Sequence, residues 1–351
     1  MTHLWLRAEQ RDNEARSGLT PDGAAALIAA GIRVTVEHSH TRAIPMQGYI
    51  DAGVETAPEN SWPDAPDDAI IFGLKELPED GSPLRHHHIM FGHAFKGQHS
   101  GVALLRRFAA GGGALYDLEY LTDAQGRRVA AFGYWAGFAG AAVSLICWAA
   151  QQRGGICGPV TAYPGKDALI SALRTDMDAT TKPRPTALVI GALGRVGSGA
   201  ADLCEVLGVK VTRWDMAETA SGGPFPQILT HDLFFNCILA RPGTPVFVAK
   251  TALASDRALS VIGDIACDPD SDYNPLPIYD RATTWAEPAL RVHDTPPLDV
   301  MAIDNLPSML PVESSHDFAA QLLPSLLTLG DINAGVWGRA HDTFQHHLAE
   351  A

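Results

Sequence analysis

Two apolar runs in the first third of the chain each end by delivering ionisable groups. AIIFGLKE brings Lys75 and Glu76, and HIMFGHAFK brings His93 and Lys96. Chemistry is expected there, because in open α/β sheets ligands bind outside the carboxyl ends of the strands. A lysine that takes up a proton near neutral pH needs burial or a nearby positive charge, and the adjacent Glu76 pushes the other way. His93 needs less adjustment, since an imidazole titrates near neutrality unaided. A surface lysine and a structural histidine are the plain alternatives.

A third cluster lies in LYDLEYLTDAQGRRVAAFG. Asp117 and Glu119 alternate along an expected strand and so share a face. Arg127 and Arg128 follow a glycine turn, where paired guanidinium groups can grip carboxylates through bidentate hydrogen bonds, unless the segment is only a solvated hairpin tip. His86, His87 and His88, with His93 and His99 downstream, raise the question of a metal. Adjacent strand histidines point to opposite faces, and no carboxylate or cysteine pattern completes a tetrahedral site, so no metal is expected.

The remaining motif is ALVIGALGRVGSGAADLCEVLG, a strand, a glycine turn and a helix in succession. Glycines in such a turn let the backbone approach a pyrophosphate, whose charge is met by amides at the helix N-terminus. Gly191, Gly194 and Gly197 could serve, although the spacing is GxxGxxG, with Leu193 where the second glycine of GxGxxG stands. The next apolar run, KVTRWD, ends in Asp215, placed to accept hydrogen bonds from ribose hydroxyls and to repel a 2′-phosphate, which favours NAD over NADP. Arg213, on the same face of that strand, pulls the other way. Close helix and strand packing is the alternative reason for the glycines.

Short apolar runs alternating with helical patterns must position these groups. LWLRA, IRVTVE, AIIFGL, HIMFGHA and ALYDLEYL are strand candidates of a first block. Thr20 and Pro21 open a helix after the first of them, and GVALLRRFAAGGG forms another before the last. TALVIGA, KVTRWD, LFFNCI, SVIGDIA and DVMAIDN are the strands of a second block, reached through the Gly- and Pro-rich QQRGGICGPVTAYPG. Such alternation implies parallel sheets covered by helices, hence an α/β protein with two Rossmann-like domains and an active-site cleft between them. A length of 351 residues agrees, at roughly 150 residues per domain.

Composition narrows the partners. With 46% hydrophobic and 19% charged residues the chain can bury sizeable cores, and its formal charge of −14 disfavours adhesion to nucleic acid or anionic membrane. The five cysteines are scattered without a CxxC, and the N-terminus becomes charged within a few residues, so a reducing, cytoplasmic setting is expected. From Val129 to Gln152 no residue is charged. That length could span a membrane, which takes about 20 apolar residues, but its Gly and Ala content favours a buried helix between domains. A monomer is compatible with all of this.

Together, GLKELPED, HIMFGHAFKGQ, LYDLEYLTDAQGRRVAAFGYWAGFAGAA, VIGALGRVGSGA, WDMAETASGGPFPQI and AIDNLPSMLP resemble the NAD-dependent, lysine-forming saccharopine dehydrogenases, relatives of alanine dehydrogenase and transhydrogenase. The resemblance runs in order over nearly the whole chain. It implies a substrate-side domain of residues 1–134 plus returning C-terminal helices in 322–351, and an NAD-binding domain of residues 135–321. It also implies reversible oxidation of saccharopine to L-lysine and 2-oxoglutarate. In the catalytic set, Lys75 would be the base for the secondary amine, His93 the acid/base for imine hydrolysis, and Glu76 and Glu119 their acidic neighbours. Arg16, Arg128 and Phe132 would bind substrate. The cofactor set would be Gly191, Gly194, Arg195, Val196, Gly197, Asp215, Cys237 and Asp304. A dehydrogenase of another secondary amino dicarboxylate or opine, and a non-catalytic dinucleotide-binding protein, stay open at this point.

Overall fold

Apolar runs of four or five residues between turn signals become strands whose side chains are buried on both faces, the pattern a helix-covered parallel sheet requires. The computed structural model describes residues 1–95 and 99–350, His99 by its main chain alone, so Lys96 lies outside the described residues. One compact unit comprises residues 1–131 and 311–351, a second residues 132–310.

The first unit contains β1 (His3–Leu6), α1 (Pro21–Ala29), β2 (Arg33–Glu37), α2 (Met46–Asp51), β3 (Glu55–Ala57), β4 (Ala69–Phe72), β5 (His87–Met90), α3 (His99–Gly111) and β6 (Ala114–Asp117). Its sheet runs β3-β2-β1-β4-β5-β6, parallel throughout. Helix α1 starts as its sequence foretells: Pro21 is at its start and Thr20 Oγ1 accepts the Gly23 N–H at 3.2 Å. The chain leaves β1 towards β2 and returns on the other side of β1 as β4, so the strand order reverses between β1 and β4.

The second unit contains α4 (Gly133–Gln152), α5 (Lys166–Asp178), β7 (Thr186–Ile190), α6 (Arg195–Val206), β8 (Lys210–Trp214), α7 (Met216–Thr219), β9 (Leu233–Asn236), β10 (Val261–Asp264), β11 (Leu290–Asp294) and β12 (Pro297–Met301). Its sheet runs β11-β12-β10-β9-β7-β8, and β11 is antiparallel to β12. The uncharged stretch is α4, a core helix of this unit. Glycines let it approach α6 closely: a Cβ on Gly137 would lie 1.8 Å from the Val196 carbonyl oxygen, and one on Gly199 1.9 Å from that of Tyr134. Gly137→Ala would therefore force the two helices apart.

Helices α8 (Pro311–Leu326) and α9 (Gly335–Leu348) return to the first unit. The Ser17 N–H donates to Ser315 Oγ at 2.8 Å, and Tyr116 of β6 packs against Trp337 and His341 at 6.0 and 5.9 Å between ring centroids. β3, β11, α2, α5 and α7 are additions to the elements expected from sequence.

Candidate active site

The first unit gathers its ionisable groups at one edge of its sheet. Neighbouring strands β1, β4, β5 and β6 end at Leu6, Phe72, Met90 and Asp117, and the loops beyond them carry Arg7 to Arg16, Lys75 and Glu76, His93, and Glu119. Because the strands are parallel, all four loops leave from the same side.

Lys75 is held by its main chain. Glu9 accepts the N–H groups of Leu74 and Lys75 at 2.6 and 3.0 Å, while the buried Arg7 guanidinium donates to the Lys75 carbonyl and pairs with Glu9 at 3.4 Å. Nearby, Arg16 grips Glu14 through two N–H groups at 2.8 and 2.6 Å, and both side chains are buried. Burial alone would raise the Glu14 carboxyl, but the charge and hydrogen bonds of Arg16 and the charge of Lys75 outweigh it and hold the group below the usual carboxylate range. Glu14 is thus an anion beside Lys75. Glu76 points elsewhere, half exposed and 3.4 Å from Arg11.

His93 follows β5 with φ of 49°, a left-handed conformation that costs a non-glycine residue about 1–2 kcal/mol. Its Nδ1 lies 3.8 Å from Glu119 Oε2, and the other carboxylate oxygen of Glu119 lies 3.3 Å from the Arg128 guanidinium. Arg128 also donates from Nε to the Glu119 carbonyl at 3.2 Å. His93 also lines a cavity of about 470 Å³, together with Glu76, Glu79, Gly92 and Arg107 among others. Lys75, His93, Glu119, Arg16 and Arg128 therefore belong to one edge of one unit.

One detail departs from the alternation expected along LYDLEYL. Strand β6 ends at Asp117, so Asp117 and Glu119 do not share a strand face: Asp117 is fully buried, and Glu119 belongs to the turn that follows. The arginine pair also divides, Arg127 closing on Asp123 at 2.8 Å beside the Gly126 turn. His86 and His88 face the interior, His86 against the Ala65 carbonyl and His88 between Trp62 and Phe108, while His87 lies on the opposite face near Tyr116.

The second unit presents its own edge. Gly191 has φ of 86°, and a Cβ on Gly197 would lie 2.2 Å from the Gly191 carbonyl oxygen, so both glycines are required by the turn itself. Gly194 is the N-cap of α6, and Arg195 and Val196 open that helix, whose positive end meets the glycine turn. Asp215, directly after β8, accepts N–H groups from Leu193 at 3.0 Å and Met216 at 2.9 Å. Cys237 follows β9, where its carbonyl oxygen would lie 3.0 Å from a Cβ on Gly191. Asp304 is exposed just beyond β12. Leu193, Met216 and Leu239, 82%, 82% and 73% exposed, follow the adjacent strands β7, β8 and β9 and offer apolar surface next to Asp215. Arg213 is tied to Glu205 at 2.6 Å. A dinucleotide fits this set: amides for its pyrophosphate, a carboxylate for a ribose, apolar side chains for a base.

A family model described as alanine dehydrogenase/PNT, N-terminal domain, matches residues 5–139. The saccharopine dehydrogenase (NAD(+), L-lysine-forming) of Schizosaccharomyces pombe is 45% identical over 358 residues, covering 98% of this chain and 97% of the relative. The protein of the same name from Yarrowia lipolytica is 46% identical over 359 residues, again covering 98% and 97%. Among solved structures, an L-alanine dehydrogenase is similar in fold, with a TM-score of 0.66 and 18% identity over 98% of this chain and 93% of its own.

Proposed function

Because this chain belongs to the family of NAD(+)-dependent, L-lysine-forming saccharopine dehydrogenases, we propose that it reversibly oxidises saccharopine to L-lysine and 2-oxoglutarate, with Lys75 and His93 moving the protons. One observation carries the roles: Lys75 and His93 leave the carboxyl ends of paired strands, β4 and β5, within one unit. NAD(+) would be held by the amides around Gly194 to Gly197 and by Arg195, Asp215, Cys237 and Asp304, and would supply the hydride acceptor.

Lys75 Nζ takes the proton of the substrate's secondary amine, which lets the nitrogen lone pair form C=N as hydride leaves the glutamate-side Cα. His93 then takes a proton from the water that attacks this imine and gives one to the departing lysine amine. Glu119 faces Nδ1 of His93, so Nε2 is the atom that exchanges these protons. Glu14 places negative charge beside Lys75, while Glu76 pairs with Arg11. Arg128 and Arg16 supply positive charge for a substrate with three carboxylates. Phe132, the third residue the resemblance assigns to substrate, precedes α4 in the second unit. All five cysteines are free thiols, as a reducing compartment keeps them, and the cytoplasm is the proposed location.

Replacing Lys75 by Met and His93 by Gln together tests these roles. Turnover should fall by about 10⁴-fold or more while NADH still binds, since each acid/base group contributes about 10²–10⁴-fold. Wild-type turnover in the double variant would overturn the assignment.

A further inference from the structure

The proton-shuttling pair stands on a buried carboxylate that none of the roles above uses. Asp117, the last residue of β6, is fully buried. Its Oδ2 accepts the N–H of Gly92 at 3.2 Å, and its Oδ1 accepts the N–H of Glu119 at 2.8 Å. Gly92 immediately precedes His93 on the β5 loop, and Glu119 is the residue whose side chain faces His93 Nδ1. One carboxylate therefore ties together the two segments that carry the pair.

We propose that Asp117 is a positioning residue for His93 and Glu119: its two oxygens fix the Gly92 and Glu119 peptides and so set the separation and orientation of the imidazole and its carboxylate partner. The inference rests on the reading of His93 as an acid/base group. Three observations support it. A buried carboxylate is costly unless its lone pairs are used, and here they hold these two N–H groups. His93 adopts a left-handed φ, which persists only where its surroundings over-determine it, and the bond to Gly92 holds the peptide beside it. Space is tight as well, since a Cβ on Gly92 would lie 2.6 Å from Leu115 Cδ2 and 3.3 Å from Asp117 Oδ2. Burial raises the Asp117 carboxyl to about 6; the Glu119 charge pushes the same way, while the two N–H groups and the Arg128 charge oppose it. Wild-type protein thus contains its own titration of the anchor.

The test is Asp117→Asn in the full chain, beside Glu119→Gln, their combination, and His93→Gln. An Asn oxygen accepts only one of the two N–H groups, and its amide turns a donor towards the other. NADH affinity should be unchanged, and kcat should fall about tenfold to a hundredfold, the usual cost of a displaced catalytic group. If Asp117 acts through the pair, the combined variant is no slower than the slower single one, and the acid limb of the kcat profile moves alike in Asp117→Asn and Glu119→Gln. Multiplying effects with an unmoved pH profile would mark Asp117 as merely structural and overturn the inference. If His93→Gln loses turnover while Asp117→Asn does not, the inference alone fails. If His93→Gln keeps turnover, the reading of His93 fails and takes the inference with it. Should Asp117→Asn not fold, NMR of the wild type decides: the Gly92 and Glu119 N–H resonances should shift together with one midpoint near pH 6, and two independent or absent transitions would contradict the shared anchor.

Discussion

Glu9 Oε2 accepts the main-chain N–H of Lys75 at 3.0 Å, across 66 positions of sequence, so the proposed amine base is fixed at its backbone by an acid from the neighbouring strand's loop. Arg7, 1% exposed, holds the carbonyl of the same residue. The clamp spans β1 and β4, where the strand order of the first unit reverses.

Glu9→Ala should lower kcat by more than it changes the affinity for NADH, because it frees the Lys75 backbone without touching the second unit. Two N–H groups lose their acceptor, and each buried unsatisfied group costs about 1–3 kcal/mol. Gly73→Ala attacks the clamp from its other side, since its Cβ would lie 2.3 Å from Arg7 Nε. Chemical denaturation and steady-state kinetics on both variants check this; stable, fully active proteins would show that the clamp does not position Lys75.

Much of this edge could be read from the order of residue types. The runs ending in Lys75 and His93 form adjacent strands because each is short, apolar and closed by turn residues. The same signal precedes Arg7 and Glu9, since LWL is followed at once by RAEQR; it went unused because no spacing connects those residues to Lys75. Glu14 escaped for the same reason, as its tie to Lys75 exists only once β1 lies beside β4. Asp117 was visible but assigned to a strand face shared with Glu119, because periodicity does not say where a strand stops. β3 and β11 were missed as short edge strands with mostly exposed or half-buried residues, which lack the apolar run that marks a central strand.

Asp215 should govern cofactor affinity. Asp215→Ala removes the carboxylate proposed for the ribose hydroxyls, and a hydrogen bond to a charged group is worth about 1.5–3 kcal/mol, or roughly 10- to 150-fold in Kd for NADH. Fluorescence titration of NADH with wild type and variant measures it. Equal affinities would place the ribose elsewhere.

Stability should fall on the acid side through His88. Burial among Trp62 and Phe108, then the positive charges around it, hold its pKa well below the ordinary value of 6.5, and neither ring nitrogen has a hydrogen-bond partner among the described residues. The unfolded chain takes up this proton at about 6.5 while the folded chain refuses it, so the contribution is whole above that pH and is lost as pH falls below it, at about 1.4 kcal/mol per unit. His3, His86 and His87 are shifted in the same direction. Asp117, raised to about 6, acts oppositely between its unfolded value of 3.8 and 6, because there the folded state holds the extra proton. Denaturation midpoints of wild type and His88→Leu at about pH 7 and about pH 5 should converge towards acid, the variant losing less. Parallel losses would show that His88 is not the group responsible.

The direction of net reaction should follow pH, because oxidation of saccharopine releases a proton with NADH. Each unit of pH should move the apparent equilibrium about tenfold towards lysine. Equilibrium ratios measured at two pH values check the stoichiometry, and ratios independent of pH would exclude it.

The most direct test of the central claim is the loss of NADH absorbance when purified protein is mixed with 2-oxoglutarate and lysine, compared with ornithine or alanine in place of lysine and with pyruvate in place of 2-oxoglutarate. Rapid NADH oxidation with the lysine and 2-oxoglutarate pair, and far slower oxidation with every other combination, is the predicted result. Faster turnover with another pair would contradict the assignment to saccharopine, and bound NADH that no combination oxidises would contradict a dehydrogenase altogether.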